Sequence, residues 1–239
     1  MSRAASRPLL LRSDRWRTRF EDQLAALPAE PTPEQWHELR DSLGRLAAWL
    51  RMAGRRPLRD RVKMLRCAIG EIRDIDIARE RLDFSAPGSP LARFGSERDR
   101  KAATLVRRLA VPSTRRLLRD LQETPPLNYE AAVDASRRLA RRAWKAGRRF
   151  VNDPAPATAH RLRRRLRELR FAREWLRQET APLVPLIRRL GRLNDRLLVR
   201  RFATQNGNGE QAEDKLERSL VRCRSEWRAL RSTIKEWAR

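Results

Sequence analysis

Residues 158–170 read T-A-H-R-L-R-R-R-L-R-E-L-R. At 100° per residue, Leu162, Leu166 and Leu169 share one helix face, and His160, Arg163, Arg164 and Arg167 lie opposite, with Arg170 at the edge. The stretch predicts a helix with a leucine core face and a basic outer face. The same pattern occurs upstream, where Leu39, Leu43 and Leu46 share a face and His37, Arg40, Asp41, Gly44 and Arg51 lie opposite. His37 and His160 are the chain's two histidines. Each helix is followed by a related hexamer, I-G-E-I-R-D at 69–74 and L-G-R-L-N-D at 190–195. The repetition implies an internal duplication with one site at a pseudo-twofold axis.

Punctuation extends the reading to the whole chain. Thr32-Pro33-Glu34-Gln35 supplies an N-cap, a proline at the first helical position and a capping-box glutamine, so His37 sits about one turn inside its helix. Thr158 is the candidate cap for the second histidine helix. Helices are expected near 13–27, 33–53, 57–83, 90–110, 113–123, 128–151, 158–178, 181–204 and 210–237, with loops at 85–90, 124–127, 152–157 and 205–209. The fourteen prolines fall mostly between these segments, and alternating β-branched runs are absent, so the expected class is all-α with almost no sheet. At 239 residues and 40% apolar content the chain can bury a core. We expect a basic tail over 1–12 and a helical domain over 13–239, divided into halves at 13–125 and 126–239. No apolar run is long enough to cross a bilayer or form a signal peptide, so a cytoplasmic location without membrane contact is expected. Cys67 and Cys223 lack C-x-x-C partners and read as buried free thiols.

Charge sets the ligand class. The chain carries 56 Lys+Arg against 30 Asp+Glu, a net +26. All but Lys63, Lys101, Lys145, Lys215 and Lys235 of the basic residues are arginines, whose planar fork matches phosphate oxygens and keeps its charge. Arg59, Lys63, Arg66 and Arg73 form one stripe, with Gly70 between them. Arg138, Arg141, Arg142, Lys145, Arg148 and Arg149 form another, opposite Ala143 and Trp144. Like charges at helical spacing repel, so concentrated stripes are costly unless an anion binds them. Phosphate is therefore the expected ligand chemistry, and charge alone leaves polyphosphate and nucleic acid both open. Few aromatics are available for base stacking, and neither helix-turn-helix nor zinc-finger spacing is present.

A metal or phosphoacceptor role for the histidines has little support, because arginines flank His160. Asp74 and Asp76 diverge by about 200° on a helix, which suits salt bridges to Arg73 or its neighbours better than magnesium. The histidines could instead bond a buried carboxylate such as Asp74 or Asp195. Gly70 and Gly191 belong to no phosphate loop and suggest close helix packing. Trp144, Trp175, Trp227 and Trp237 read as core, and the last helix, with mixed charges, as a packing helix.

At these residues the chain resembles the CHAD family, the conserved histidine α-helical domain. The matching pieces are His37-x-x-Arg40, Arg45-Leu46, Ile69-Gly70-x-Ile72-Arg73-Asp74-Ile75-Asp76, the stretch 113–121 with Leu117, Leu118 and Asp120, His160-x-Leu162-Arg163, Arg167, Leu169-Arg170-Phe171, Glu174 and Leu190-Gly191-x-Leu193-Asn194-Asp195. They span about 32–202. Gly44 and Ala47 stand where the family's first copy usually has arginines, and Phe171 where tyrosine is usual.

The resemblance implies two pseudo-symmetric antiparallel helical bundles around a basic cavity or groove, and binding of inorganic polyphosphate, often at polyphosphate granules, without catalysis, cofactor or metal. The expected contacts are His37, Arg40, Arg45, Arg51, Arg59, Lys63, Arg66, Arg73, the second stripe, His160, Arg163, Arg164, Arg167 and Arg170. The alternative is a general nucleic-acid or polyanion-binding protein, and the positive charge also favours weak, non-specific association with nucleic acid.

Overall fold

The leucine faces organise the molecule as the periodicity predicts. Leu39, Leu43 and Leu46, and equally Leu162, Leu166 and Leu169, are fully buried. The computed structural model describes residues 10–81, 91–204 and 213–239. Its helices are α1 (Asp14–Ala25), α2 (Pro33–Met52), α3 (Arg56–Arg81), α4 (Leu91–Ala110), α5 (Pro112–Gln122), α6 (Tyr129–Asn152), α7 (Pro156–Trp175), α8 (Val184–Thr204) and α9 (Glu213–Trp237). The expected loops at 85–90 and 205–209, and most of the basic tail, lie outside the described residues. None of the described helices is long and apolar enough to cross a membrane.

The class is all-α, with one small exception that apolar periodicity did not signal. Leu10–Leu11 (β1) pairs antiparallel with Leu127–Asn128 (β2), Leu10 opposite Asn128 and Leu11 opposite Leu127. Two residues per strand are too few to show alternation.

Helix α2 begins as read: Thr32 Oγ1 accepts from the Gln35 amide, and Gln35 Oε1 accepts from the Thr32 amide. Helix α7 begins two residues earlier than expected, because Thr158 is not its cap. Pro156 takes the first helical position after Ala155, and the Thr158 hydroxyl, one turn in, bonds the backbone of Asp153 and Ala155. Pro33 and Pro156 therefore occupy the same helical position, and so do His37 and His160 four residues later.

The C-termini match too. After α2 the Arg55 amide donates to the Leu50 carbonyl and the Gly54 amide to Arg51, with Gly54 at φ +69. After α7 the Gln178 amide donates to Arg173 and the Arg177 amide to Glu174, with Arg177 at φ +53. Both are left-handed Schellman closures.

Helix α2 packs against α1, α3 and α7, while α6 packs against α7 and α9, and α8 against α7, α3 and α9. The core runs through both sets, from Trp36 and Trp49 to Trp175, Trp227 and Ile234. Trp227 seats α9 on α6: its ring occupies the space a Cβ on Gly147 would need. The central consequence is that the two histidine helices, α2 and α7, are in direct contact, with α3 alongside.

Candidate functional site

Packing α2, α3 and α7 together brings their basic faces onto one cavity of about 350 Å³. Helix α2 contributes Arg40, Gly44, Ala47, Ala48 and Arg51; α3 contributes Arg59, Lys63, Arg66 and Cys67; α7 contributes His160, Arg163, Arg164, Arg167, Glu168 and Phe171. Nine of the expected polyphosphate contacts thus line one space, while His37 and Arg73 are not on its lining.

The guanidiniums there are short of counter-charge. The Nε atoms of Arg40, Arg66 and Arg163 are buried without a hydrogen-bond partner. Arg167 reaches Asp41 Oδ1 at 3.4 Å. Arg51 bonds Glu168 at 2.8 Å, and Arg59 and Lys63 share Asp60 at the rim. Burial, reinforced by Arg66, Arg163 and Arg73, lowers the Arg40 pKa to about 10. Burial likewise lowers Arg66, Arg163 and Arg167, with neighbouring guanidiniums adding to the shift in each. Arginine keeps its charge at neutral pH, so these groups repel one another.

Gly70 and Gly191 have a use that spacing alone did not reveal. The guanidinium of Arg40 lies over Gly70 of α3, with Nε and NH2 3.6 Å from where a Cβ would be, and Arg163 lies over Gly191 of α8 at 3.7 Å. Close helix packing is expected at both glycines, and the group that approaches each is an arginine of the neighbouring helix. Gly44 works similarly: a Cβ there would stand 2.8 Å from Phe171 Cε2 and 3.5 Å from Arg66 Nε. The missing side chain at Gly44 lets Phe171 form part of the cavity wall.

The histidines are held differently. Arg73 NH1 donates to His37 Nδ1 at 3.1 Å, which places the neutral ring's proton on Nε2. Loss of hydration, then Arg73, pushes the His37 pKa below 6.5, against the pull of Asp41. His160 Nδ1 meets Asn194 Oδ1 at 2.9 Å, an arrangement in which Nδ1 donates. Neither ring is bonded to Asp74 or Asp195. Asp74 is instead half-buried, with Arg40 and Asp195 as charged neighbours, and the loss of hydration raises its pKa. Asp76 bonds Arg98 of α4 at 3.0 Å rather than Arg73 or a sequence neighbour.

Other predicted contacts are engaged elsewhere. Arg45 is buried, paired with Asp41 and, at 2.8 Å, with Glu174, and its guanidinium stacks between Trp16 and Phe171 at 4.3 and 4.7 Å. Its fork is used internally, so it does not line the cavity. Arg170 pairs with Glu174 at 2.8 Å. The six stripe residues of α6 are exposed and lie outside the cavity lining. Cys67 is exposed at the cavity, contrary to its reading as buried, because it shares the outward face of α3 with Met64 and Glu71; Cys223 is buried as expected.

Fold and site together describe an all-helical domain whose arginines converge from two histidine helices. The CHAD domain family model matches residues 7–201, and the chain belongs to that family. Among solved structures, the crystal structure of the CHAD domain from the plant Ricinus communis matches with a TM-score of 0.63 at 19% identity, covering 95% of this chain and 91% of that one. That likeness is one of fold. No curated protein matches the chain by sequence.

Proposed function

We propose that this chain is a non-catalytic receptor for inorganic polyphosphate, bound in the cavity between α2, α3 and α7. One observation carries the reading: Arg40, Arg66 and Arg163 converge with buried Nε atoms that have no partner, and none has an acidic partner within 4 Å among the described residues. Buried cations without counter-charge are costly, and a multivalent anion removes that cost. A string of phosphates satisfies several forks at once, each charge-assisted bond contributing about 1.5–3 kcal/mol before ordering. The cavity asks for no base or sugar.

The matched positions of Pro33 and Pro156, His37 and His160, and Gly54 and Arg177 support a duplicated unit with halves near 13–125 and 126–239. In this reading the cavity is the basic centre between the two bundles, His37 and His160 are accessory donors, and no cofactor or metal takes part. Family resemblance adds a cytoplasmic location at polyphosphate granules.

Calorimetry at about 0.3 M salt, where non-specific phosphate attraction is largely screened, separates this function from general polyanion adhesion. The expected result is that long-chain polyphosphate binds tightly while length-matched single-stranded DNA is lost. Equal loss of both would return nucleic acid to first place.

A further inference from the structure

Helix α6 carries a second cationic surface that the cavity does not use. Arg138, Arg142, Lys145 and Arg149 fall within about 60° of one another on the helix, and all four are exposed. None has an acidic partner within 4 Å among the described residues, whereas the adjacent Arg137 is paired with Asp134 at 2.8 Å. The shoulder of the stripe differs. Arg141 donates to the Ala238 carbonyl at 2.8 Å beyond α9, and Arg148 lies over Trp144 at 5.0 Å in a recess shared with Arg228 and Arg231.

The stripe adjoins the cavity through Arg142. Helix α6 packs against α2 and α7, the two helices that supply most of the cavity wall. Arg142 lies close enough to Arg51, on the cavity lining, to oppose its positive charge. From Arg138 to Arg149 the stripe runs about 16 Å along the helix axis, room for several phosphoryl units. Glu168, the acid that pairs with Arg51, is also engaged by Arg165.

We propose that the Arg138–Arg142–Lys145–Arg149 face of α6 is an outer rail of the same site, engaged only by polyphosphate chains long enough to leave the cavity past Arg51. The proposal rests on the cavity reading and adds a chain-length preference to it. A short anion occupies the cavity alone. A long chain fills the cavity and then gains the rail as a tethered second contact, at high effective concentration. Arg141 and Arg148, turned toward α9, take little part.

The test compares tripolyphosphate with long-chain polyphosphate, by calorimetry on the full chain, for the wild type, the quadruple variant R138Q/R142Q/K145Q/R149Q and the control R141Q/R148Q. At about 0.3 M salt the Debye length is about 6 Å, so exposed charges on α6 barely influence an anion held in the cavity. The quadruple variant is expected to keep tripolyphosphate affinity within about twofold, lose at least about tenfold in long-chain affinity, and lower the long-chain salt slope by about 3. The control should retain long-chain affinity.

Unchanged long-chain binding in the quadruple variant overturns the rail, and so does an equal loss for both ligands. Identical sensitivity of single-stranded DNA to the quadruple change, read at about 0.1 M salt where DNA association persists, also overturns it, by making α6 a general polyanion surface. Failure of the cavity reading looks different. Cys67 is an exposed thiol on the cavity lining and Cys223 is buried, so tripolyphosphate should slow thiol labelling of Cys67 in wild type and quadruple variant alike. Absence of protection in both would contradict the cavity, whatever α6 does.

Discussion

At the scale of single residues, arginines of similar sequence setting do opposite work. Arg45 is an internal counter-ion, bound to Asp41 and Glu174 and stacked on Trp16 and Phe171. Arg45→Met removes one of two cationic partners from each of Asp41 and Glu174, which keep Arg167 and Arg170, and should cost about 2 kcal/mol of stability, read by denaturant unfolding. Loss below about 1 kcal/mol would contradict its structural role. His37 makes a pH prediction whose sign is fixed. Its pKa lies below 6.5 in the folded chain, through desolvation and Arg73, so its contribution to stability is present above the unfolded value and lost as pH falls through the folded one. A bound polyanion favours the imidazolium, so polyphosphate should raise the His37 pKa, and affinity should increase as pH falls. With two histidines in the chain, NMR titration and His37→Gln assign the signal directly. A His37 pKa unmoved by saturating polyphosphate would place the ring away from the ligand.

At the scale of elements, the helix faces were readable and their partners less so. Leucine spacing and the Thr32 capping box located α2 and its core face because both signals are local. The start of α7 was misplaced by the attraction of Thr158 as a cap, although Pro156 stands in the same relation to His160 as Pro33 does to His37. Nine cavity residues were legible as basic faces. The engagement of Arg45 by Glu174 and of Arg141 by Ala238 was not, since those partners lie 129 and 97 residues away. Cys67 went astray because cysteine is usually buried, while its place on α3 faces outward. Two element-scale outcomes follow from the backbone. Arg177 holds a left-handed conformation at φ +53 where α2 uses Gly54, so Arg177→Gly should raise stability by about 1 kcal/mol, measured by chemical denaturation. Gly147→Ala should lower it by about 2 kcal/mol and change tryptophan fluorescence, because the new Cβ meets the buried Trp227 ring between α6 and α9. A neutral result would mean α9 shifts freely on α6.

At the scale of the whole molecule, a chain of net charge +26 folds by burying leucines and tryptophans while gathering guanidiniums where two histidine helices meet. The free protein therefore gathers like charges at its centre, and under the proposed function a bound anion relieves their repulsion. Relief appears as added stability: at one hundred times the dissociation constant, a ligand specific to the folded state contributes about 2.7 kcal/mol. The most direct measurement is the melting temperature of wild type and Arg66→Met, each with and without saturating polyphosphate at about 0.3 M salt, where general charge effects are screened. Arg66 has a buried Nε without a partner and lines the cavity. The account predicts that Arg66→Met melts higher than wild type without ligand and loses most of the polyphosphate-induced rise. A variant that melts lower without ligand, and gains as much from polyphosphate as wild type does, would contradict it.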